Sequence, residues 1–363
     1  MDAATNDATD CERVKKPWRV LVCRGEIPSA DKARGVDGKY LDLHRLLLWR
    51  QLSLSWDPRR EFPLQQPLYL EIGFGNGEYL ARQVLQRPQH NFLGIELHWG
   101  SVRRCLRRLA QERLENVRVL QVDAQVAVHY LLPDLCLEGA VALFPCPWPK
   151  RQHRRFRLFS QAFMGQLARA LVPGATALVV TDHEGLRDFA VAEAPGCGLE
   201  LEVGEVPGGY DTKYERRWSG LGQQVFFELH YVKKNSGSRW CRVAEVPVRS
   251  LKLMTLDPDR WELTGIHEDI VVEFRNQVFD RERRVWMVLT TVIEDHLQQT
   301  FWIEAVQQGD YWSLRPAQGG GFLPTRGVQR ALNHLAQLSG STNSIEPEVP
   351  QESTVQDYPD ESP

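Results

Sequence analysis

Glycines and acidic residues follow the apolar segments in the first half of the sequence. The stretch EIGFGNGE contains Glu71, Gly73 and Gly75, and the next two apolar segments end in Glu96 and Asp123. Glycines at such a turn let the backbone approach a ligand, and the helix that follows offers unpaired N–H groups at its N-terminus. A G-x-G-x-G turn alone fits several nucleotide cofactors, or a tight turn that binds nothing.

The three carboxylates narrow the choice of cofactor. In doubly wound folds a carboxylate about twenty residues beyond the glycines accepts hydrogen bonds from ribose hydroxyls, and Glu96 has that spacing. Asp123 ends the next strand, near the place of an adenine, and Glu71 faces the same crevice. Together they would repel the pyrophosphate of a dinucleotide and attract the sulfonium and ammonium groups of S-adenosylmethionine. The sequence therefore favours S-adenosylmethionine.

A second group of residues suited to chemistry lies in FPCPWPKRQHRRFR, residues 144–157, where Cys146 stands between two prolines. Its basic residues are Lys150, Arg151, Arg154, Arg155 and Arg157. Such clusters bind polyanions, although for the arginines of residues 103–108 a solvated helix face is the more common explanation. The net charge is -3, but six acidic residues follow Gly340, so the rest of the chain is net positive.

Alternating strands and helices are expected to position these residues. From LYLEIGF to ATALVVTD, short apolar segments alternate with helical ones, which is typical of a parallel α/β sheet with crossover helices. The carboxyl ends of parallel strands meet at one edge, so the carboxylates converge on one crevice. Apolar residues at helical spacing between about 39 and 55 predict a further helix that leads into this sheet.

The pattern changes near Asn235. KKNSGSR resembles a linker, and the segments after it alternate apolar and polar residues between short polar turns, which predicts an antiparallel meander. A final helix is predicted after Thr325. We therefore expect a smaller α+β domain at 240–339. Its tryptophans, such as Trp286, Trp302 and Trp312, look exposed in this pattern, although core packing is the more common role of each.

Composition excludes several classes of protein. The chain has 363 residues, of which 42% are hydrophobic and 25% charged, as in ordinary globular proteins. No apolar stretch is long enough to cross a bilayer and the acidic N-terminus has no apolar core, so we expect neither export nor a membrane anchor. Seven scattered cysteines without a CxxC pair argue against a disulfide framework or a structural metal site. They favour the reducing cytoplasm.

These motifs resemble the bacterial tRNA (guanine-N7-)-methyltransferases. The resemblance runs from LEIGFGNGEYL through NFLGIELH, VDA, FPxPWPK and TD to TKYE, over about residues 67–233. It implies a Rossmann-like, S-adenosylmethionine-dependent methyltransferase domain at 61–235 and an enzyme that methylates N7 of a guanine in tRNA. Around this domain we expect a disordered N-terminus at 1–16, an extension at 17–60 and a disordered acidic tail at 340–363.

The resemblance also implies roles for individual residues. For the cofactor it implies contacts from Glu71, Gly73, Gly75, Glu96, Asp123 and Cys146. For tRNA or its guanine it implies contacts from Lys150, Asp182, Thr212, Lys213, Tyr214 and Glu215. The meander domain is not part of the basic family plan, so we assign it substrate grip or self-association as a hypothesis, and the oligomeric state stays open.

Cys146 departs from the family, which typically has an aspartate there as its proposed catalytic carboxylate. Guanine N7 has a lone pair and no proton, so its methylation needs alignment rather than a general base. Two functions follow: an active, perhaps slower, methyltransferase, or a protein that binds tRNA without transferring methyl groups. Cys146 itself has two interpretations. Lys150 and Arg151 would favour its thiolate form, or the residue is a neutral, buried thiol that packs as a small hydrophobic side chain, which is the more common role.

Overall fold

The computed structural model describes residues 41–148, 157–234, 240–244, 246–257, 262–339 and 346–347. The segment predicted to be disordered at 1–16 lies outside these ranges, as does most of the acidic tail at 340–363. Lys150 and the arginines up to Arg155 also lie outside the described residues. Among the residues described, no helix is long and apolar enough to cross a membrane.

The first half of the described chain forms a mixed sheet of eight strands, in the order β1-β4-β3-β2-β5-β6-β8-β7. The strands are β1 (Leu46–Leu47), β2 (Leu68–Ile72), β3 (Asn91–Glu96), β4 (Val117–Gln121), β5 (Leu137–Leu143), β6 (Leu171–Thr181), β7 (Glu200–Val206) and β8 (Phe226–Val232). Strands β1 to β6 pair in parallel, and β8 is antiparallel to both β6 and β7. This is the predicted α/β architecture, with an antiparallel edge added to the parallel sheet.

Helices cover both faces of this sheet. They are α1 (Glu78–Gln86), α2 (Trp99–Gln111), α3 (Ala124–Val126) with a π-helical continuation (Ala127–Leu131), α4 (Gln161–Ala170), α5 (Glu184–Glu193) and α6 (Lys213–Gly220). In α2 the buried residues Val102, Cys105, Leu106 and Leu109 recur every three or four positions, so one stripe faces the sheet. The arginines between them face outwards, which explains their spacing.

The helix predicted between 39 and 55 is wrong. Leu46 and Leu47 form the short strand β1 beside β4, and a 3-10 turn follows at Trp49–Gln51. Arg45 is 2% exposed and its Nη2 donates to Glu115 Oε1 over 2.6 Å. These contacts join the segment to residues about seventy positions away, and such tertiary pairing outweighs a local helical pattern.

The C-terminal domain is the predicted antiparallel meander with a final helix. Its sheet has the order β10-β11-β12-β13-β14-β9-β15. The elements are β9 (Leu251–Leu253), β10 (Ile266–His267), β11 (Val271–Asp280), β12 (Val285–Glu294), β13 (Leu297–Gln308), β14 (Tyr311–Pro316), α7 (Arg326–Leu338) and β15 (Glu346–Pro347). Trp286 and Trp312 are 1% and 5% exposed in a core shared with α7. Core packing, the more common role expected for each of them, is therefore confirmed for these two tryptophans, and the exposure that the pattern suggested is not found.

The two domains share a core instead of being joined only by a linker. Leu297 and Leu323 of the C-terminal domain belong to the main core of the α/β domain. Tyr130 donates its hydroxyl to Asp295 Oδ2 over 3.3 Å. Trp240 packs so closely on α4 that a Cβ added to Gly165 would lie 2.0 Å from the indole Nε1. Tyr130 lies in the π-helical turn that precedes β5, and Gly165 lies midway along α4.

Replacing Gly165 with alanine is expected to weaken this interdomain contact. Alanine is normally favourable in a helix by about 1 kcal/mol over glycine. Here the added Cβ would overlap Trp240, so we expect Gly165→Ala to lower the free energy of unfolding by about 1–3 kcal/mol instead. Urea unfolding monitored by circular dichroism measures this change in the free energy of unfolding.

Gly220 supplies the matched control, because it also lies in a helix but no described residue comes within 4 Å of its added Cβ. Gly220→Ala should leave stability unchanged or raise it. A Gly165→Ala protein as stable as Gly220→Ala would show that the Trp240 contact does not hold the domains together.

Candidate active site

A crevice opens where the strand order of the α/β sheet reverses. From β2 the chain proceeds to β3 and β4 on one side, and β5 and β6 lie on the other. Ligands of open α/β sheets bind at the carboxyl ends of the strands beside such a reversal. The crevice has a volume of about 400 Å³, which suits a small organic ligand. No residue after Tyr214 lines it in the part of the chain described.

The glycine loop between β2 and α1 forms the floor of this crevice. Gly73 and Gly75 have φ values of 72° and 56°, a left-handed conformation that favours glycine. Among the described residues, an added Cβ on either would meet nothing within 4 Å. The backbone of the loop is therefore accessible to a ligand in the crevice. Gly77 serves packing, since its Cβ would lie 2.4 Å from Cys105 Sγ of α2.

Glu96 and Asp123 hold the loops that form the wall. Glu96 accepts hydrogen bonds from Gly75 N at 3.0 Å and from His98 N at 2.9 Å. Asp123 Oδ1 accepts from Gln125 N at 2.7 Å and caps α3. An ionised carboxylate has about four lone-pair positions, so each keeps acceptors for ligand hydroxyls or amines. Both carboxylates line the crevice.

Glu71 lies beneath the glycine loop and is 5% exposed. Among the described residues its Oε2 has no hydrogen-bond partner. Burial, with a smaller contribution from Glu96 and against the effect of Arg82, raises the pKa of Glu71 to about 8. A buried acceptor without a partner is costly, and a ligand that brings a cation into the crevice would satisfy it.

The loop after β5 forms one side of the mouth. Phe144 and Trp148 both have left-handed backbones, with φ values of 52° and 44°, which is unusual for bulky residues. Cys146 between them is exposed and lines the crevice. The expectation of a buried packing cysteine is therefore wrong, because the turn at Phe144 directs the following residues toward solvent. Arg157 Nε donates to the Trp148 carbonyl over 3.2 Å.

Helix α6 forms the other side of the mouth. Thr212 caps it by accepting from Glu215 N over 3.1 Å, and Lys213 and Tyr214 line the crevice. Arg216 Nη2 bonds Glu78 Oε2 of α1 over 2.7 Å, which holds the helix beside the glycine loop. Glu215 is 7% exposed and accepts a hydrogen bond from Gly209 N, so its carboxylate supports the preceding loop from within the protein.

Most of the residues predicted from the sequence come together in this crevice. The structure lines it with Glu71, Gly73, Gly75, Glu96, Asp123, Cys146, Thr212, Lys213 and Tyr214. Two predicted residues, Asp182 and Glu215, are not among the lining residues. Asp182 directly follows β6, at the same edge of the sheet as the crevice, whereas the side chain of Glu215 is turned inwards. Lys150 lies outside the described residues. No cluster of His, Cys, Asp and Glu suited to a metal ion occurs in the part of the chain described.

Other lining residues were missed by the sequence analysis. Asn76, Tyr79, His98, Arg104 and Gln125 also face the crevice. Asn76 inside the glycine loop and Gln125 directly after a strand-end carboxylate were available signals, because both are polar residues at a ligand-facing turn. His98 and Arg104 gave none, since their approach depends on how α2 packs on the glycine loop.

The glycine loop at the switch point, the strand-end carboxylates and the antiparallel last strands define a Rossmann-like methyltransferase. Consistent with this, a family model described as "putative methyltransferase" matches residues 65–228. A tRNA (guanine-N(7)-)-methyltransferase of Chlorobium phaeobacteroides is 38% identical over 160 residues, which are 44% of this chain and 78% of that protein. The chain belongs to the tRNA (guanine-N(7)-)-methyltransferase family.

Other relatives extend the match. The enzyme of that name from Alkalilimnicola ehrlichii is 34% identical over 62% of this chain and 96% of its own length. That of Deinococcus radiodurans is 30% identical over 77% of this chain and 92% of its own. The Deinococcus enzyme matches 77% of this chain, which is more than residues 1–235 can supply, so this similarity includes part of the C-terminal domain. A solved 16S rRNA methyltransferase, KamB, aligns with a TM-score of 0.39 and 16% identity over 48% of this chain and 90% of its own.

The burial of Glu71 predicts pH-dependent binding of S-adenosylmethionine. With a pKa of about 8, Glu71 is mostly protonated at pH 7 in the free protein, and a bound cation favours the ionised form. Binding should therefore release up to one proton at pH 7, and affinity should rise from pH 6 to 8, by at most about tenfold per pH unit. Calorimetry in two buffers of different ionisation enthalpy measures the released proton.

Glu71→Gln is the control. It keeps the shape of the side chain and cannot ionise, so proton release and the rise between pH 6 and 8 should both disappear, and affinity at pH 8 should fall. If the wild-type protein and Glu71→Gln release equal numbers of protons, another group is titrating.

Proposed function

We propose that this protein transfers the methyl group of S-adenosylmethionine to N7 of a guanine in tRNA. The observation that supports this most directly is the crevice itself. On one side it presents to a cationic cofactor the buried Oε2 of Glu71, which has no hydrogen-bond partner among the residues described. On the other side it opens between aromatic and basic side chains that suit a nucleobase and its phosphates. The relatives named above point to the same reaction.

The residues present fit the cofactor. Glu71 and the bare glycine loop would hold its cationic amino acid end, Glu96 the ribose hydroxyls, and Asp123 with Gln125 the adenine. When bound, S-adenosylmethionine supplies an electrophilic methyl group on a sulfonium. Two observations on the described residues support this placement: Glu71 Oε2 has no hydrogen-bond partner, and a Cβ added to Gly73 or Gly75 would have no neighbour within 4 Å.

The protein's own contribution to the reaction is mainly alignment. Guanine N7 carries an in-plane lone pair and no proton, so no side chain has to remove one before attack. The rigid walls around the mouth, the Phe144–Trp148 turn and α6, would orient the base, and such positioning is worth several orders of magnitude in rate. We assign the reaction to the cytoplasm, where the tRNA substrate would be met.

Methyl transfer to tRNA tests this proposal directly. Purified full-length protein incubated with labelled S-adenosylmethionine and bulk tRNA should transfer label, and nuclease digestion followed by mass spectrometry should place it in 7-methylguanosine. A protein that binds both cofactor and tRNA but transfers nothing would establish the binding-protein alternative that Cys146 raises. Label in another nucleoside would refute N7 specificity.

Cys146→Asp refines the same test. Because Cys146 is exposed at the mouth, an aspartate there stays hydrated and should not disturb folding. A negative charge at that point would stabilise the positive charge that develops on the purine, so we expect an increase in rate of up to about tenfold, or 1.4 kcal/mol. Cys146→Ser, which adds no charge, should keep the wild-type rate. A lower rate with serine would mean that the thiol itself takes part.

The exposed arginines of α2 are proposed to contact tRNA phosphates. Arg104 lines the crevice, and Arg103 and Arg107 are exposed beside it. No acidic partner for Arg103 or Arg107 is recorded among the described residues, in contrast to Arg108, whose Nη2 and Nη1 approach Glu78 and Glu112 to 3.9 and 3.6 Å. Unpaired arginines beside a nucleobase site are suited to phosphate.

Replacing Arg103 and Arg107 by alanine should weaken tRNA binding most at low salt. The slope of log K against log salt should become shallower by about one for each lost phosphate contact. Arg103→Lys with Arg107→Lys, which keeps both positive charges at the same positions, is the matched control and should keep the slope. Equal slopes in both double variants would mean that the α2 arginines are only a solvated helix face.

A further inference from the structure

Trp148 differs from the packed tryptophans of this chain. It is 37% exposed and lines the crevice, whereas Trp286 and Trp312 are 1% and 5% exposed in the core of the C-terminal domain. Its backbone has a φ of 44°, a conformation that a bulky residue adopts only when its surroundings impose it. The structure therefore holds an indole at the mouth of the crevice against its backbone preference, and strain of this kind concentrates at functional sites.

The proposed reaction creates a positive charge at this mouth. The N7 lone pair forms a bond to the methyl carbon while the carbon–sulfur bond breaks, and the pair of electrons in that bond leaves with the sulfur, which becomes a neutral thioether. The positive charge passes to the purine, where it spreads over the ring system, and no proton is released. Stabilising the transition state thus requires negative potential next to the base.

The turn at the mouth contains no carboxylate, since its sequence from Phe144 to Trp148 is FPCPW. Glu96 is engaged with two backbone N–H groups on the cofactor side. The face of an aromatic ring carries negative potential, and tryptophan attracts cations more strongly than tyrosine or phenylalanine does. On the basis of the proposed function, we propose that the indole of Trp148 stacks on the target guanine and stabilises the positive charge that the base acquires on methylation.

Stacking on a charged purine predicts a preference that can be measured without catalysis. 7-Methylguanosine monophosphate carries the positive charge, whereas guanosine monophosphate, which lacks only the N7 methyl group, does not. The full-length protein should bind the methylated nucleotide about tenfold more tightly, as expected for a cation over an indole face. Calorimetry with saturating S-adenosylhomocysteine present measures both affinities, and quenching of tryptophan fluorescence reports the stacking.

The kcat of the Trp148 variants should fall as the cation–π interaction of the residue at position 148 becomes weaker. Trp148→Phe keeps a weaker aromatic face, and we expect kcat to fall about threefold; Trp148→Leu keeps bulk without a π face, and we expect about thirtyfold. The preference for the methylated nucleotide should shrink in the same order, while the affinity for S-adenosylmethionine stays at its wild-type value. Trp99→Leu is the matched control, because Trp99 is 42% exposed at the start of α2 without lining the crevice.

The outcomes separate this inference from the proposed function. If the wild-type protein methylates tRNA at N7 but Trp148→Leu keeps kcat and the nucleotide preference, the inference is wrong and the function stands. A loss of S-adenosylmethionine affinity or of thermal stability in Trp148→Leu equal to its loss of kcat would make Trp148 a structural residue, which also overturns the inference. If the wild-type protein methylates no tRNA, the function fails, and the nucleotide preference still decides whether Trp148 binds a cationic purine.

Discussion

The hydrogen bonds of Glu96 are the constraint on which the crevice depends. One carboxylate accepts from Gly75 N of the glycine loop and from His98 N at the start of α2, at 3.0 and 2.9 Å. It therefore joins the turns that follow two adjacent strands, and bonds to an ionised acceptor are the stronger kind. Gly77 closes the same corner, because only a residue without a side chain lets the loop approach Cys105 of α2. Loop, helix and crevice wall thus form one unit.

Within this unit Glu71 is held in an unfavourable state. A carboxyl group that is 5% exposed, with an oxygen that lacks a partner among the described residues, gains little from folding. Its raised pKa expresses the same cost, since burial favours the uncharged form. A buried carboxyl group without a full set of partners lowers the stability of the free protein, and such local destabilisation is common at sites where a bound ligand supplies the missing partner. The ligand best suited to this carboxylate is a cation.

Features that depend on local periodicity were predictable from the sequence, and features that depend on distant contacts were not. The parallel strands, the glycine loop and the meander all appear where the patterns predicted them, since each follows from neighbouring residues alone. The helix expected at 39–55 failed because Leu46 pairs with β4, which lies far along the chain. Equally, nothing near Glu215 shows that its carboxylate turns inwards to Gly209, or that Cys146 points outwards. These directions are set by tertiary packing and by two left-handed turns.

The placement of the mouth can be followed back to the core. Phe144 takes a left-handed backbone at the end of β5, and its ring lies edge-to-face with Phe226 of β8, with centroids 5.4 Å apart. It also contacts Tyr210, at 6.5 Å, in the loop that leads to α6. Both walls of the mouth are therefore fixed to one aromatic cluster beneath them, which offsets the strain of the turn. Because no described residue of the C-terminal domain lines the crevice, that domain would act on it through the α/β domain or through the RNA itself.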